Sequence, residues 1–277
     1  MIELGKYNTL GVVRRTPHGF YLGNDEEEVL LPNKYIPNEL AIGQTIEVFV
    51  YLDFEERIVA TTLKPKIQLH EFACLKVIDV NKVGAFLDWG LEKDLMVPFS
   101  EQAKNMRVDA FYLVYLYLDA DSNRLVASSK IDQFLEKEAV NVAVGEKVDL
   151  LIGVASPIGV TVIINNRYRG LVFNNQIFRK IYPGEKTEGY IKEIREDNRI
   201  DVSLQPMGYK NIESSAEIIL NKLRSNKGFL NLNDNSRPEE IKEKLQMSKK
   251  TYKKTIGALY KQKLISIEDD GIHLTEK

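Results

Sequence analysis

Val83-Gly84-Ala85-Phe86-Leu87, then Met96-Val97-Pro98, then Arg124-Leu125-Val126-Ala127-Ser128 decides the reading of this chain, because the same phrase stands in two other places. His18-Gly19-Phe20-Tyr21-Leu22 leads to Leu30-Leu31-Pro32 and to the run from Arg57 to Thr61. Ile158-Gly159-Val160-Thr161-Val162 leads to Leu171-Val172-Phe173 and to the run from Arg199 to Ser203. A strand that starts on glycine, a short apolar strand and a closing Arg-apolar-x-x-Ser/Thr strand therefore recur in one order. Self-similarity of this kind marks one small β unit used three times.

Within the middle copy the period is two: Ala85 and Leu87 share one face, Phe86 and Asp88 the other. Residues 111–118 are rich in β-formers, and Asp119-Ala120-Asp121-Ser122-Asn123 is a turn cluster before the last strand. Each unit has the length of a five-stranded Greek-key barrel of the oligonucleotide-binding (OB) kind. Lys130 to Ala139 places Ile131, Phe134 and Leu135 at helical spacing, which predicts a short connecting helix.

From about Ser214 the pattern changes. Ala216, Ile219, Leu220 and Leu223 form a helical stripe, Arg237-Pro238-Glu239-Glu240 opens a second helix, and a third starts at Lys249. Leu264 to Ile267 and Ile272 to Thr275 flank an Asp-Gly turn. Helix, helix-turn-helix and hairpin make a winged helix. The fold expected is multidomain and mostly β: three tandem five-stranded OB-fold barrels over residues 1–65, 66–140 and 141–210, then an α+β winged-helix domain over residues 211–277.

Net charge over the 277 residues is −2, and its distribution is uneven. Residues 1–65 carry six Lys and Arg against ten Asp and Glu, and residues 66–140 nine against twelve. Residues 141–210 carry ten against eight, and residues 211–277 thirteen against ten. Phosphate contacts are accordingly expected in the C-terminal half. The start has no basic stretch followed by an apolar core, and no apolar run approaches a bilayer span, so a cytoplasmic protein without membrane contact is expected. Cys74 is the only cysteine, which excludes an intrachain disulfide and a thiolate-rich zinc site. No metal, cofactor or enzymatic role is expected: His18, His70 and His273 are scattered along the chain, and no phosphate-binding glycine loop is present.

Gly84 to Gly90, Gly170 to Phe173 and Asp197 to Leu204 resemble the S-one-type RNA-binding domain over about residues 5–205. That resemblance implies stacking of single-stranded RNA on aromatic residues and a histidine of the second and third strands. Carried over position by position, it falls on His18, Val83 and Ile158 before the glycine, and on Tyr21, Phe86 and Thr161 two residues after it. The family's histidine position is taken by Pro32, Pro98 and Phe173, so no unit keeps the whole set. His18, Tyr21, Phe86 and Phe173 are the stacking candidates. Arg167, Tyr168, Arg169 and Lys192 are candidates of the basic third unit. An outward Phe86 also suits a contact between neighbouring domains.

In the third helix of the last domain, Tyr252, Ile256, Leu259 and Tyr260 read as the buried stripe, and Lys249, Lys250, Lys253 and Lys254 as the outward face. Such a helix fits a major groove, and it equally suits a solvated face used for protein contact. No Arg, Asn or Gln stands in its first turns for bidentate base contacts, which makes duplex DNA the weaker partner. Taken whole, Gly228-Phe229-Leu230, Pro238 to Ile241, Met247 to Lys250 and Ile256 to Lys261 are similar to the conserved virulence factor B family. That resemblance implies a non-catalytic RNA-binding regulator of virulence gene expression in Gram-positive bacteria, acting after transcription. The competing readings are a DNA-binding transcription factor and an adaptor to a ribosome or nuclease.

Overall fold

The computed structural model describes residues 1–23, 26–137, 140–206 and 209–275. The first unit comprises β1 (Tyr7–Thr16), β2 (Gly19–Gly23), β3 (Glu28–Pro32), β4 (Thr45–Leu52) and β5 (Ile58–Thr61). They close into a barrel in the order β1-β2-β3-β5-β4. The second unit, β6 (Phe72–Val80), β7 (Gly84–Asp88), β8 (Leu95–Pro98), β9 (Phe111–Leu118) and β10 (Leu125–Ser128), keeps the same neighbours but has no paired ladder between β8 and β10. The third, β11 (Lys147–Ala155), β12 (Gly159–Ile164), β13 (Tyr168–Phe173), β14 (Lys186–Ile194) and β15 (Ile200–Ser203), is closed like the first.

The recurring glycine has a steric cause. A Cβ on Gly19, Gly84 or Gly159 would stand 2.0, 2.3 or 2.2 Å from the backbone oxygen of Leu31, Val97 or Val172, each on the strand that follows. Only glycine lets the two backbones approach that closely. One residue further along, the side chain enters the core, as Phe20, Ala85 and Val160 do; the next points outward.

Neighbouring units share apolar residues. Phe49 and Tyr51 of the first pack with Trp89 of the second, whose indole is 3% exposed. Phe72 of the second packs with Leu151 and Ile163 of the third. The connecting helix expected from Lys130 to Ala139 is absent over the described part: only Ile131–Gln133 forms a single 3-10 turn, and residues 138–139 lie outside the described residues. The helical spacing has another use. Ile131 and Leu135 are buried in the seam between the second and third units, and Phe134 stacks on Tyr115 with centroids 4.1 Å apart.

The last domain contains α1 (Tyr209–Ser225), β16 (Phe229–Leu230), α2 (Pro238–Leu245), α3 (Lys249–Lys261), β17 (Ile265–Ile267) and β18 (Ile272–Leu274). Ser248 caps α3 by accepting a hydrogen bond from the Thr251 N–H at 3.0 Å. Tyr252, Ile256 and Leu259 are buried, and the Tyr252 hydroxyl donates to the Leu232 carbonyl at 2.9 Å. Tyr260 departs from the expected stripe, being 57% exposed. Among the described residues no helix is long and apolar enough to cross a membrane.

The glycine contacts predict opposite signs for two substitutions. Gly84→Ala should destabilise the second unit by roughly 1–3 kcal/mol through overpacking. Gly257→Ala, in an α3 position where a Cβ meets nothing within 4 Å, should stabilise the winged helix by up to about 1 kcal/mol. Calorimetric unfolding of the full chain separates the two.

Candidate nucleic-acid interface

Each unit carries a β-bulge in its first strand, between Val12 and Arg14, Val77 and Asp79, and Ile152 and Ala155. A bulge re-aims the side chains beyond it. Past the bulge, an outward row crosses three strands, and its chemistry differs between units. In the first unit it reads Arg14, Tyr21 and Leu30; in the second, Asp79, Phe86 and Met96. In the third, Thr161 stands beside Leu171.

His18 is exposed in the turn between β1 and β2. Tyr21 is half-buried under the guanidinium of Arg14, 3.7 Å from the ring centroid, and Arg14 is held by Glu28 at 2.6 Å. Phe86 is half-buried in a cleft of about 380 Å³ between the first and second units, beside Asp79 and Asp94. Burial, reinforced by Asp88 and Asp79, holds the Asp94 carboxyl above its usual range.

The third unit has a cleft of about 980 Å³, lined by Ile158, Leu171, Phe173, Arg195, Asn198 and Arg199 among others. Arg195 lies 5.7 Å from the Phe173 centroid and pairs at 2.9 Å with the buried carboxylate of Asp201. Hydrogen bonding to Asp201, together with its charge, raises the Arg195 pKa further.

Tyr168 corrects the sequence reading. It is 2% exposed and its hydroxyl accepts from the Asn141 N–H at 3.1 Å, so its ring belongs to the core of the third unit. Phe173 is five positions along the same strand, and an odd separation puts the two on opposite faces. Arg167 and Arg169 are exposed and neutralised by the preceding linker, Arg167 by Glu136 at 2.6 Å and Arg169 by Asp132 at 3.1 Å. Lys192 lies half-buried on β14.

Sequence reasoning passed over Arg199 as a site residue, although it opens the closing motif of the third repeat; it is paired with Asp197 at 3.1 Å. The approach of Arg195 to Phe173 depends on how β14 and β15 fold back beside β13. On α3, Lys250, Lys253 and Lys254 are exposed and Lys249 half-buried. Lys253 is drawn to Asp234 at 3.3 Å. The candidate residues therefore lie in separate places, in each of the three units and on α3. Cys74 is buried, which pushes its thiol up to about 12 and leaves it an inert core residue.

A family model described as S1 domain matches residues 4–63 and 71–130, and one described as CvfB-like winged helix domain matches residues 217–274. YitL of Bacillus subtilis (strain 168) is 26% identical over 93% of this chain and 89% of its own length. Conserved virulence factor B of Staphylococcus haemolyticus (strain JCSC1435) is 30% identical over 92% of this chain and 88% of its own. A crystal structure of a multidomain protein with nucleic acid binding domains from Streptococcus pneumoniae aligns over 98% of both chains, at 23% identity and a TM-score of 0.43.

On the wing, His273 Nε2 lies 3.0 Å from Asp270, and that hydrogen bond raises the imidazole pKa above its ordinary 6.5. The stabilisation is fully present below 6.5 and fades as pH rises through the elevated folded value. Asp270→Asn should lower the His273 value toward the ordinary one, read by NMR titration of the imidazole protons.

Proposed function

The chain belongs to the conserved virulence factor B family, and from that premise we propose that it binds single-stranded RNA without catalysis and regulates virulence-associated expression after transcription. The observation that carries this reading is the cleft of the third unit, where a half-buried aromatic ring and a guanidinium meet on one barrel face within a rim of mixed charge. A π face accepts any base, contributing roughly 1–3 kcal/mol per stacked base without sequence readout. Arg195 and Arg199 supply charge for the adjoining phosphates, and their binding releases counterions.

The first unit contributes Tyr21 and Arg14 in the same combination, with His18 exposed in the adjoining turn. The α3 lysines add phosphate contacts without base readout, which agrees with RNA better than with a specific duplex site. Single sites of this size bind weakly. Sites fixed along one chain raise the effective concentration of each later contact.

Phe173→Ala should weaken binding of a labelled single-stranded RNA by roughly 1–3 kcal/mol while leaving the salt slope nearly unchanged. Fluorescence polarisation over a salt series measures both, and unaltered affinity in a folded variant would remove the cleft from the RNA path.

The lysines of α3 should behave differently. Replacing Lys249, Lys250 and Lys254 with Ala should make the slope of log affinity against log salt shallower by about 0.7 for each phosphate no longer neutralised. Lys253→Ala alone should change it less, because Asp234 already holds that ammonium. A slope identical to that of the unmodified protein would assign α3 to a protein partner.

A further inference from the structure

Two of the three units bring an aromatic ring, a guanidinium and a carboxylate together. In the first, Arg14 covers Tyr21 and is held by Glu28. In the third, Arg195 lies by Phe173 and is held by Asp201. The second unit has the ring and the carboxylates but no guanidinium over the ring among the described residues. Asp79 stands opposite Phe86 in the strand register, where Arg14 stands opposite Tyr21.

The cleft's own cations point elsewhere. Lys93 and Arg124 both converge on Glu56 of the first unit, at 3.0 and 2.9 Å. Asp79 and Asp94 form no ion pair among the described residues, and both line the cleft with Phe86, Met96 and the strongly exposed Phe54. A phosphate brought to this face would meet two unpaired carboxylates, in the two units whose acidic residues outnumber their basic ones.

We infer that the cleft between the first and second units docks an arginine from a basic segment of a partner protein, its guanidinium stacked on Phe86 and its donors shared by Asp79 and Asp94. Arginine fits better than lysine. Its planar head stacks on a ring while its fork of donors serves carboxylates, whereas an ammonium is a compact, strongly hydrated charge. Phe54 and Met96 suit the aliphatic stem. The burial that disfavours the charged form of Asp94 is offset when a cation arrives beside it. None of these residues belongs to the RNA site of the third unit, so the two sites stand or fall separately.

The test titrates the full-length protein with a labelled peptide of alternating arginine and glycine, and with its lysine and glutamate counterparts, by fluorescence polarisation. The arginine peptide should bind best and the glutamate peptide not at all. The double variant Asp79→Asn with Asp94→Asn should weaken arginine-peptide binding about tenfold or more, about 1.4 kcal/mol, with single-stranded RNA affinity not reduced. Phe86→Leu, which keeps apolar volume, should narrow the preference for arginine over lysine. Equal peptide binding by the unmodified protein and the double Asn variant overturns the proposal. So does loss of RNA affinity in Phe86→Leu with peptide binding intact, which would give the ring to RNA.

Discussion

Trp89 is the contact on which the N-terminal half of the molecule turns. Its indole meets Phe49 edge-on, with centroids 5.8 Å apart and planes at 82°, and it meets Tyr51 in the same manner at 6.4 Å. Its Nε1–H donates to the Lys93 carbonyl at 2.5 Å. A ring that is buried on all sides and also hydrogen-bonded fixes orientation as well as distance. The first two units therefore meet at a set angle, and the cleft holding Phe86 exists because of it. Lys34 with Glu92, and Glu56 with Lys93 and Arg124, clamp the margins. Exposed pairs of that kind add little energy but select one geometry.

The seam between the second and third units is built from different parts to the same end. Phe72, Ile131, Leu135, Leu151 and Ile163 are buried there. The Asn166 side chain spans the joint, accepting from the Phe72 N–H at 3.0 Å and donating to the His70 carbonyl at 2.9 Å. Arg167 and Arg169 tie down the linker through Glu136 and Asp132. Cations that looked available for phosphate are thus used to position the third barrel, and Arg195 and Arg199 are paired as well, with Asp201 and Asp197.

The repeat was legible because a steric contact imposes it. Gly19, Gly84 and Gly159 each face a carbonyl too close for any Cβ, so residue type recurs at a fixed place in each unit. Parity carried the outward placement of Phe86 between the buried Ala85 and Leu87. The same rule, applied to β13, already separates Tyr168 from Phe173; two flanking arginines drew attention to the wrong ring. Tyr260 misleads for a helical reason: at 100° per residue it lies about 80° around α3 from Tyr252, at the margin of the buried stripe. The partners of Arg167 and Arg169 lie more than thirty positions away in sequence, so no local pattern announced them.

One scaffold thus carries three different outward rows, and the side chain opposite the second-strand residue sets their character. Arginine in the first unit covers its ring and offers charge; aspartate in the second leaves the ring open and acidic; the bulge of the third faces a threonine, and the aromatic position passes to Phe173 on the next strand. Because the glycine contact and the shared apolar seams hold every row on a rigid barrel, exchanging a single outward residue alters ligand chemistry without altering the fold. On the proposed reading the phosphate backbone lies away from the acidic face of the second unit. An RNA strand held by the third unit and the winged helix would then leave the acidic cleft of the first two free for a cationic partner, and one molecule could hold both at once.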